Sequence, residues 1–418
     1  MKQFKLLLTG CLAVLFFSCS DDDAAAPVGD TALFAVPIFK SLAEIRSDVG
    51  VTAARQTDSD GKIYVSQNYL FYIAQEEGIH VFNNQNPSSP QNVAFINVAG
   101  VHDIAIKGDY LFADNFVDLL VFDISDFNNI TLAQTVENTI NYSPIFPTTA
   151  EYYDYTVTGG PNDLLTGFVT ESRTRPTGDQ EVIFTDAMGG FEAANGGDVG
   201  TGGSYAKFQI NQNALYTVDS FQLNVFNIAN PVATFYDKAV YMQDWFGGGQ
   251  FETLFKQKDF LFVGATNGMH IVNAEDEFNP VFVSGFSHAT ACDPVVVSQN
   301  TAYITVRGGS TCGAIEDQVN VIDISNITSP TLLSSYMVDQ PYGVGILNDA
   351  LYVCCGSNGL KVFDASNSTA LQLMNTYDES VTDVIPLGTH LIAVGANKII
   401  QYSYGPNFTL LPLSEVNF

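Results

Sequence analysis

Positive charge is scarce in this chain: 16 Lys and Arg stand against 45 Asp and Glu over 418 residues, a net charge of −29 at pH 7. So acidic a surface repels phosphodiester backbones and anionic lipid headgroups, which excludes nucleic-acid binding and direct electrostatic docking on a membrane. Histidine is also sparse. His80, His102, His270, His288 and His390 show no ligand spacing such as His-Glu-x-x-His. No Gly-x-Ser-x-Gly elbow, phosphate loop or Cys-x-x-Cys pair occurs, which removes the commonest hydrolase, nucleotide and redox chemistries. Apolar residues and aromatics are plentiful, with 46% of residues apolar, 31 Phe and 19 Tyr, enough to build a core.

Lys2 and Lys5 precede an apolar run from Leu6 to Phe17 and then Ser18-Cys19. The run is too short to cross a bilayer and has the order of a secretory signal, so residues 1–18 are expected to be removed. Cys19 then begins the mature chain and carries the lipid; the alternative is a cut elsewhere, with Cys19 incidental. Residues 19–30, including Asp21-Asp22-Asp23 and Ala24-Ala25-Ala26-Pro27, bury nothing and are expected to be a flexible tether. This lipobox-like end with its acidic tag resembles surface-exposed lipoproteins of double-membraned bacteria. The resemblance implies a protein held in the outer membrane by fatty acyl chains such as palmitate, each buried methylene contributing about 0.8 kcal/mol. The tag alone leaves inner and outer leaflets open.

Export permits disulfides. Cys292 and Cys312 fall in one repeat, and a bridge between them would stabilise by about 3 kcal/mol. Cys354 and Cys355 are adjacent, about 3.8 Å apart at Cα and below the disulfide range of roughly 4.4–6.8 Å. They are expected to be strand residues pointing to opposite faces.

Self-similarity decides the fold. In Asp103–Phe112 an apolar strand, a two-residue turn and a second apolar strand follow one another, and the turn recurs as Gln67-Asn68, Gly108-Asp109, Gln212-Asn213, Lys258-Asp259, Gln299-Asn300, Asn348-Asp349 and Gly388-Thr389. The intervals are 41, 104, 46, 41, 49 and 40, a period near forty with one insertion. A third strand ends in Asn83, Asp123, Asn227, Asn273, Asp323 or Asp364, whose side chain can bond its own backbone two residues on. A fourth segment such as Thr131–Val136 or Thr331–Tyr336 completes the unit. Because the middle strands are apolar at successive positions, both faces of each small sheet need a neighbour, and a closed ring supplies one. The fold class is therefore all-β: a β-propeller of seven four-stranded blades over residues 31–418, with six or eight blades left open by the degenerate last copy, Ile399–Ser403.

The apolar-apolar-Asp-Ile-Ser signature at 120–125 and 320–325 resembles the LVIVD-repeat family of propellers, over about residues 61–413. The copies at 79–83, 223–227 and 271–273 carry Asn in place of Asp. The resemblance implies a shape and brings no catalytic residues with it.

The long interval places an insertion at about 139–203: aromatic at first (Tyr142, Phe146, Tyr152, Tyr153, Tyr155), strand-like over Leu165–Arg173, glycine-rich from Gly189 to Gly203. Loops of this length are often functional. Arg173 and Arg175 stand out there, with pairing to local acids as the plain alternative. Ahead of the repeats, Phe34–Phe39 is expected to add an edge strand and Ser41–Asp48 a short helix.

Aligned repeats put Lys62, Asp103, Lys207, Glu252, Asp293, Gly343 and Asp383 at the start of each first strand, facing the channel. Asp103, Glu252, Asp293 and Asp383 are the candidate ligands for a cation such as calcium; the plainer expectation is that these charges cap strands and pair, as buried charges do. No other cofactor is expected. The functional expectation is a monomeric, non-enzymatic binding or scaffold protein of the cell surface that meets a protein or glycan. A hydrolase or lyase with funnel carboxylates is the alternative, favoured by an open carboxylate pair about 5–9 Å apart; a plugged ring favours the scaffold. Structural calcium in the channel is the third possibility.

Overall fold

The computed structural model describes residues 31–56, 61–144, 146–175, 201–219, 221–241, 250–287, 294–308, 316–395 and 397–418. Among these, seven antiparallel sheets each contain four strands in chain order. Their first strands are Gly61–Ser66, Ile104–Lys107, Phe208–Asn211, Phe251–Gln257, Val295–Ser298, Val344–Leu347 and Asp383–Pro386. Each touches the next, and the seventh touches the first, so the sheets close into a propeller.

The core follows from the two-sided apolar pattern. Successive residues Ile63 and Tyr64 enter different clusters, one shared with the seventh blade and one with the second. A separate apolar cluster fills the remaining interfaces in turn. Cys354 and Cys355 obey the same alternation: both are buried free thiols, packed in different inter-blade clusters, and burial pushes the Cys355 thiol up to about 11. Thiols so shielded are inert packing groups.

The local rules of the repeat are visible atom by atom. Gln67, Gly108, Gln212, Lys258, Gln299 and Asn348 open their turns with φ between +52° and +58°, while Gly388 does not share this conformation. At the other end of each unit, Asn83, Asp123, Asn227, Asn273, Asp323 and Asp364 accept from the backbone N–H two residues on, at 2.8–3.0 Å. The next residue's N–H donates to the carbonyl of the turn's second residue, as Ile124 does to Asp109 and Ala365 to Asp349. These two bonds lock each turn to the end of its third strand.

Ring closure uses side chains. Asn84 of the first blade and Gln401 of the seventh exchange amide hydrogen bonds of 3.0 and 2.7 Å in a buried seam. Phe418 stacks on Tyr72 at 4.3 Å between the same two blades.

The segment ahead of the repeats departs from expectation. Thr31–Ser41 does not join a blade; it pairs antiparallel along its length with Asp163–Thr174 of the insertion and parallel with Tyr152–Tyr153, making a separate three-stranded sheet. An eleven-residue strand satisfies more backbone groups against this long partner than against a blade edge of six or seven residues. The edge strand of the first blade is instead Gly50–Thr52, on Gln91–Asn97. The helix, Leu42–Ser47, lies where expected: Ser41 caps it and Glu44 returns the bond, a reciprocal capping box.

Candidate functional site

Asp103, Glu252 and Asp383 are all buried at the start of their blades, as is Lys62, while Lys207 is half-buried. Asp293 lies outside the described residues, as do Cys292, Cys312, Cys19, the 1–18 segment and the tether. Among the described residues, which leave out Asp293, no three acid, histidine or cysteine groups come together to hold a metal. The segment that leads from the insertion into the third blade bonds to Asp103 and Asp383.

Residues 201–207, the last three of the insertion and the four that lead into the third blade, form a strap across the blade starts. Thr201 and Gly202 pair with Val65 and Tyr64 of the first blade, and the Gly203 N–H donates to the Ile63 carbonyl at 3.1 Å. The Ser204 N–H and hydroxyl both donate to Asp383 Oδ1 at 2.9 Å, and Val344 N–H of the sixth blade donates to the Ser204 hydroxyl at 2.8 Å. Leu254 N–H of the fourth blade donates to the Ala206 carbonyl at 2.9 Å. The Lys207 N–H, and the Phe208 N–H at 3.0 Å, finally donate to Asp103 Oδ2 in the second blade. Five blades thus hold the strap before it enters the third, and residues 202–206 are buried.

Asp103 and Asp383 each give one oxygen to this arrangement. Burial pushes the Asp103 carboxyl up while the Lys62 ammonium opposes it, and Asp103 Oδ1 accepts from Ile104 N–H at 2.8 Å. Gly343 occupies the sixth ring position because a Cβ there would stand 2.5 Å from Asp383 Oδ1 and 2.8 Å from the Ser204 hydroxyl. Gly343→Ala is therefore expected to cost about 1–3 kcal/mol in urea unfolding, the range for overpacking. Gly388→Ala, with open space around its Cβ, should be neutral or stabilising.

One residue that sequence reasoning missed organises the mouth. Asp114, in the strand Tyr110–Asn115, accepts from the N–H groups of His102 and Asp103, both at 2.8 Å, and its other oxygen meets His102 Nδ1 at 2.9 Å. Burial alone would raise its carboxyl, but His102 and the two amides outweigh burial and hold it below the usual carboxylate range. His102 is thus oriented by Asp114 rather than by its sequence neighbour Asp103. The equivalent strand positions in the first, fifth and sixth blades are Ile73, Thr305 and Cys354, so an acid in an otherwise uncharged column was the available signal.

The insertion's sheet carries an aromatic face. Phe146 meets Phe168 at 5.2 Å, Phe168 meets Tyr153 at 6.0 Å, and Tyr153 meets Tyr155 at 4.7 Å, with Tyr155 67% exposed. Phe168 also lines a cleft of about 300 Å³ between this sheet and the first two blades, together with Ile38, Lys40, Glu76, Phe116 and Pro144. Its walls are fixed. Phe116 holds φ +53°, unusual for a bulky residue, while packed on Gly100 and edge-on to Tyr142 at 4.8 Å. The Tyr142 hydroxyl donates to the Thr166 carbonyl at 2.8 Å, tying the sheet to the segment that leaves the second blade. Arg173 pairs with Asp154 at 2.6 Å and Glu171 at 2.8 Å, and Arg175 with Glu151 at 2.7 Å, so both arginines meet local acids. Bonds from Thr156, then Arg173, hold the Asp154 carboxyl down at about 2.

Comparisons with known proteins agree with this architecture. The LVIVD repeat model matches residues 100–138, 290–338 and 343–379, the copies in which the third strand closes on Asp, so the chain carries LVIVD repeats. No curated protein matches it. Among solved structures, a periplasmic gluconolactonase of Pseudomonas aeruginosa is similar at 10% identity and TM-score 0.53, over 88% of this chain and 96% of that one. A protein from Lactobacillus plantarum is similar at 12% identity and TM-score 0.53, over 85% and 95%. At these identities the likeness shows the fold alone.

Proposed function

We propose that this protein is a lipid-anchored binding protein of the bacterial cell surface, in which the propeller is a scaffold and the 139–203 insertion carries the contact surface. The observation that supports this reading is the strap: residues 201–207, leading from the insertion into the third blade, lie across the blade starts, and Asp383 Oδ1 and Asp103 Oδ2 accept from the amides of Ser204, Lys207 and Phe208. Carboxylates so engaged are poor general acids or nucleophiles, because freeing them leaves buried N–H groups unpaired. The aromatic cluster of the insertion, by contrast, is half-buried to exposed and shares Phe168 with the cleft. Cys19 is the anchor, and the membrane is met through its acyl chains rather than through an acidic protein face.

Two readouts test the proposal. Metabolic labelling with an alkyne palmitate analogue should tag the wild type and not Cys19→Ala, and protease added to intact cells should digest the propeller. Labelling that survives Cys19→Ala, or digestion only after lysis, removes the anchor or the surface location. For the contact surface, chemical cross-links formed on intact cells should be lost in the Tyr153→Ala/Phe168→Ala double variant; an unchanged pattern contradicts the role given to the insertion.

A further inference from the structure

We infer that the cleft between the insertion sheet and the first two blades, with the aromatic face that continues from it, is a subsite for an uncharged glycan chain; this rests on reading the insertion as the contact surface. Three features on the molecule select that ligand. The rings of Phe146, Phe168, Tyr153 and Tyr155 follow one another with centroids 4.7–6.0 Å apart, the first three half-buried and Tyr155 exposed. A pyranose ring offers such a surface its apolar C–H face, burying area that contributes roughly 25 cal/mol per Å². Phe168 belongs to both the aromatic run and the cleft, so one ligand can engage both.

The second feature is the polar pair in the cleft. Lys40 donates hydrogen bonds only and the Glu76 carboxylate accepts them only, while a sugar hydroxyl does both. Glu76 is held in place by its backbone: its N–H donates to the Val101 carbonyl and its carbonyl accepts from Gly100 N–H, both at 3.0 Å, with φ +61°. A fixed backbone sets where this exposed side chain starts and so limits the region its carboxylate reaches.

The third feature is exclusion. With a net charge of −29 the chain disfavours anionic polymers, so a uronic-acid chain or nucleic acid that could stack on the same rings is repelled. The cleft, at about 300 Å³, has the size of a small-ligand pocket, whereas a protein partner needs a face of about 800 Å².

The test is titration calorimetry on the full-length acylated protein in detergent, with neutral hexasaccharides of β-1,4-glucan, α-1,4-glucan, β-1,3-glucan and β-1,4-mannan, and a galacturonic acid hexamer as the anionic probe. At least one neutral hexasaccharide should bind, the acidic one at least tenfold more weakly. Phe168→Ala and Glu76→Gln should each weaken binding at least tenfold, and so should Tyr155→Ala, whose exposure leaves the fold undisturbed. Met374→Ala, on a distant blade edge, should not. Absence of binding by all neutral probes, equal binding of the acidic one, or affinity unmoved by these changes overturns the inference. If sugars fail while the intact-cell cross-links still depend on Tyr153 and Phe168, the glycan subsite falls and the binding-protein reading stands. New reducing ends released from a bound hexasaccharide would do the reverse, sinking the non-enzymatic reading and keeping the subsite.

Discussion

Arg46→Met is expected to destabilise the fold by about 3 kcal/mol, the lower end of the range for breaking a buried ion pair. Arg46, in the short helix ahead of the repeats, places Nε 2.7 Å from Asp118 Oδ2 and Nη2 2.9 Å from Oδ1, a bidentate fork. The Asp118 side chain is 1% exposed and Arg46 26% exposed, so the loss falls mainly on a carboxylate left unpaired in the interior. Asn138 N–H, 2.8 Å from Asp118 Oδ1, cannot compensate a full charge. Part of the attraction is screened at the exposed guanidinium, which is why the lower end applies. Urea unfolding of Arg46→Met, Asp118→Leu and the double variant makes the check, since the double variant should recover much of the single losses. Additive losses would show that the pair is not coupled.

The second large effect is a loss of stability on mild acidification. His80 and His270 are buried among aromatic rings, and burial pulls both down to about 4, with the Arg55 charge adding to the effect at His80. In the unfolded chain a histidine takes its proton near pH 6.5. Between pH 6.5 and 4 the unfolded state therefore binds protons that the folded state refuses, and stability falls as pH falls across that window. Each pKa unit is worth about 1.4 kcal/mol, so the pair contributes a few kcal/mol. Asp103, whose carboxyl is raised, works in the opposite direction as it takes its own proton. Below about pH 4 the lowered carboxyls, Asp154 at about 2 among them, take over the loss. The melting temperature of the wild type should drop from pH 7 to 4.5 well beyond that of His80→Leu/His270→Leu. Parallel curves would show that these histidines do not govern the acid limb.

The parts of this fold that were legible in the sequence obey local rules. A two-residue turn needs a left-handed first residue, and an Asp or Asn closing a strand needs only the N–H two positions on; both can be read from a handful of letters. The alternation that places Cys354 and Cys355 on opposite faces is equally local. What stayed hidden depends on partners far apart in the chain. Gly203 and Ser204 look like the end of a glycine-rich loop, yet their bonds reach back to Ile63 and forward to Asp383. Nothing near Thr31–Ser41 announces that its partner is Asp163–Thr174 rather than a blade edge. Of the charged residues expected at the blade starts, Asp103 and Asp383 meet the strap, a partner that no local pattern announces.

Hydrogen exchange of the strap amides addresses this central point most directly. Gly203, Ser204 and Lys207 should exchange as slowly as the first-strand amides of the blades, because each N–H is engaged by a different blade in a buried mouth. Exchange of these three amides within seconds, at the rate of an exposed loop, would mean that the mouth stands open and that the channel acids are available for chemistry.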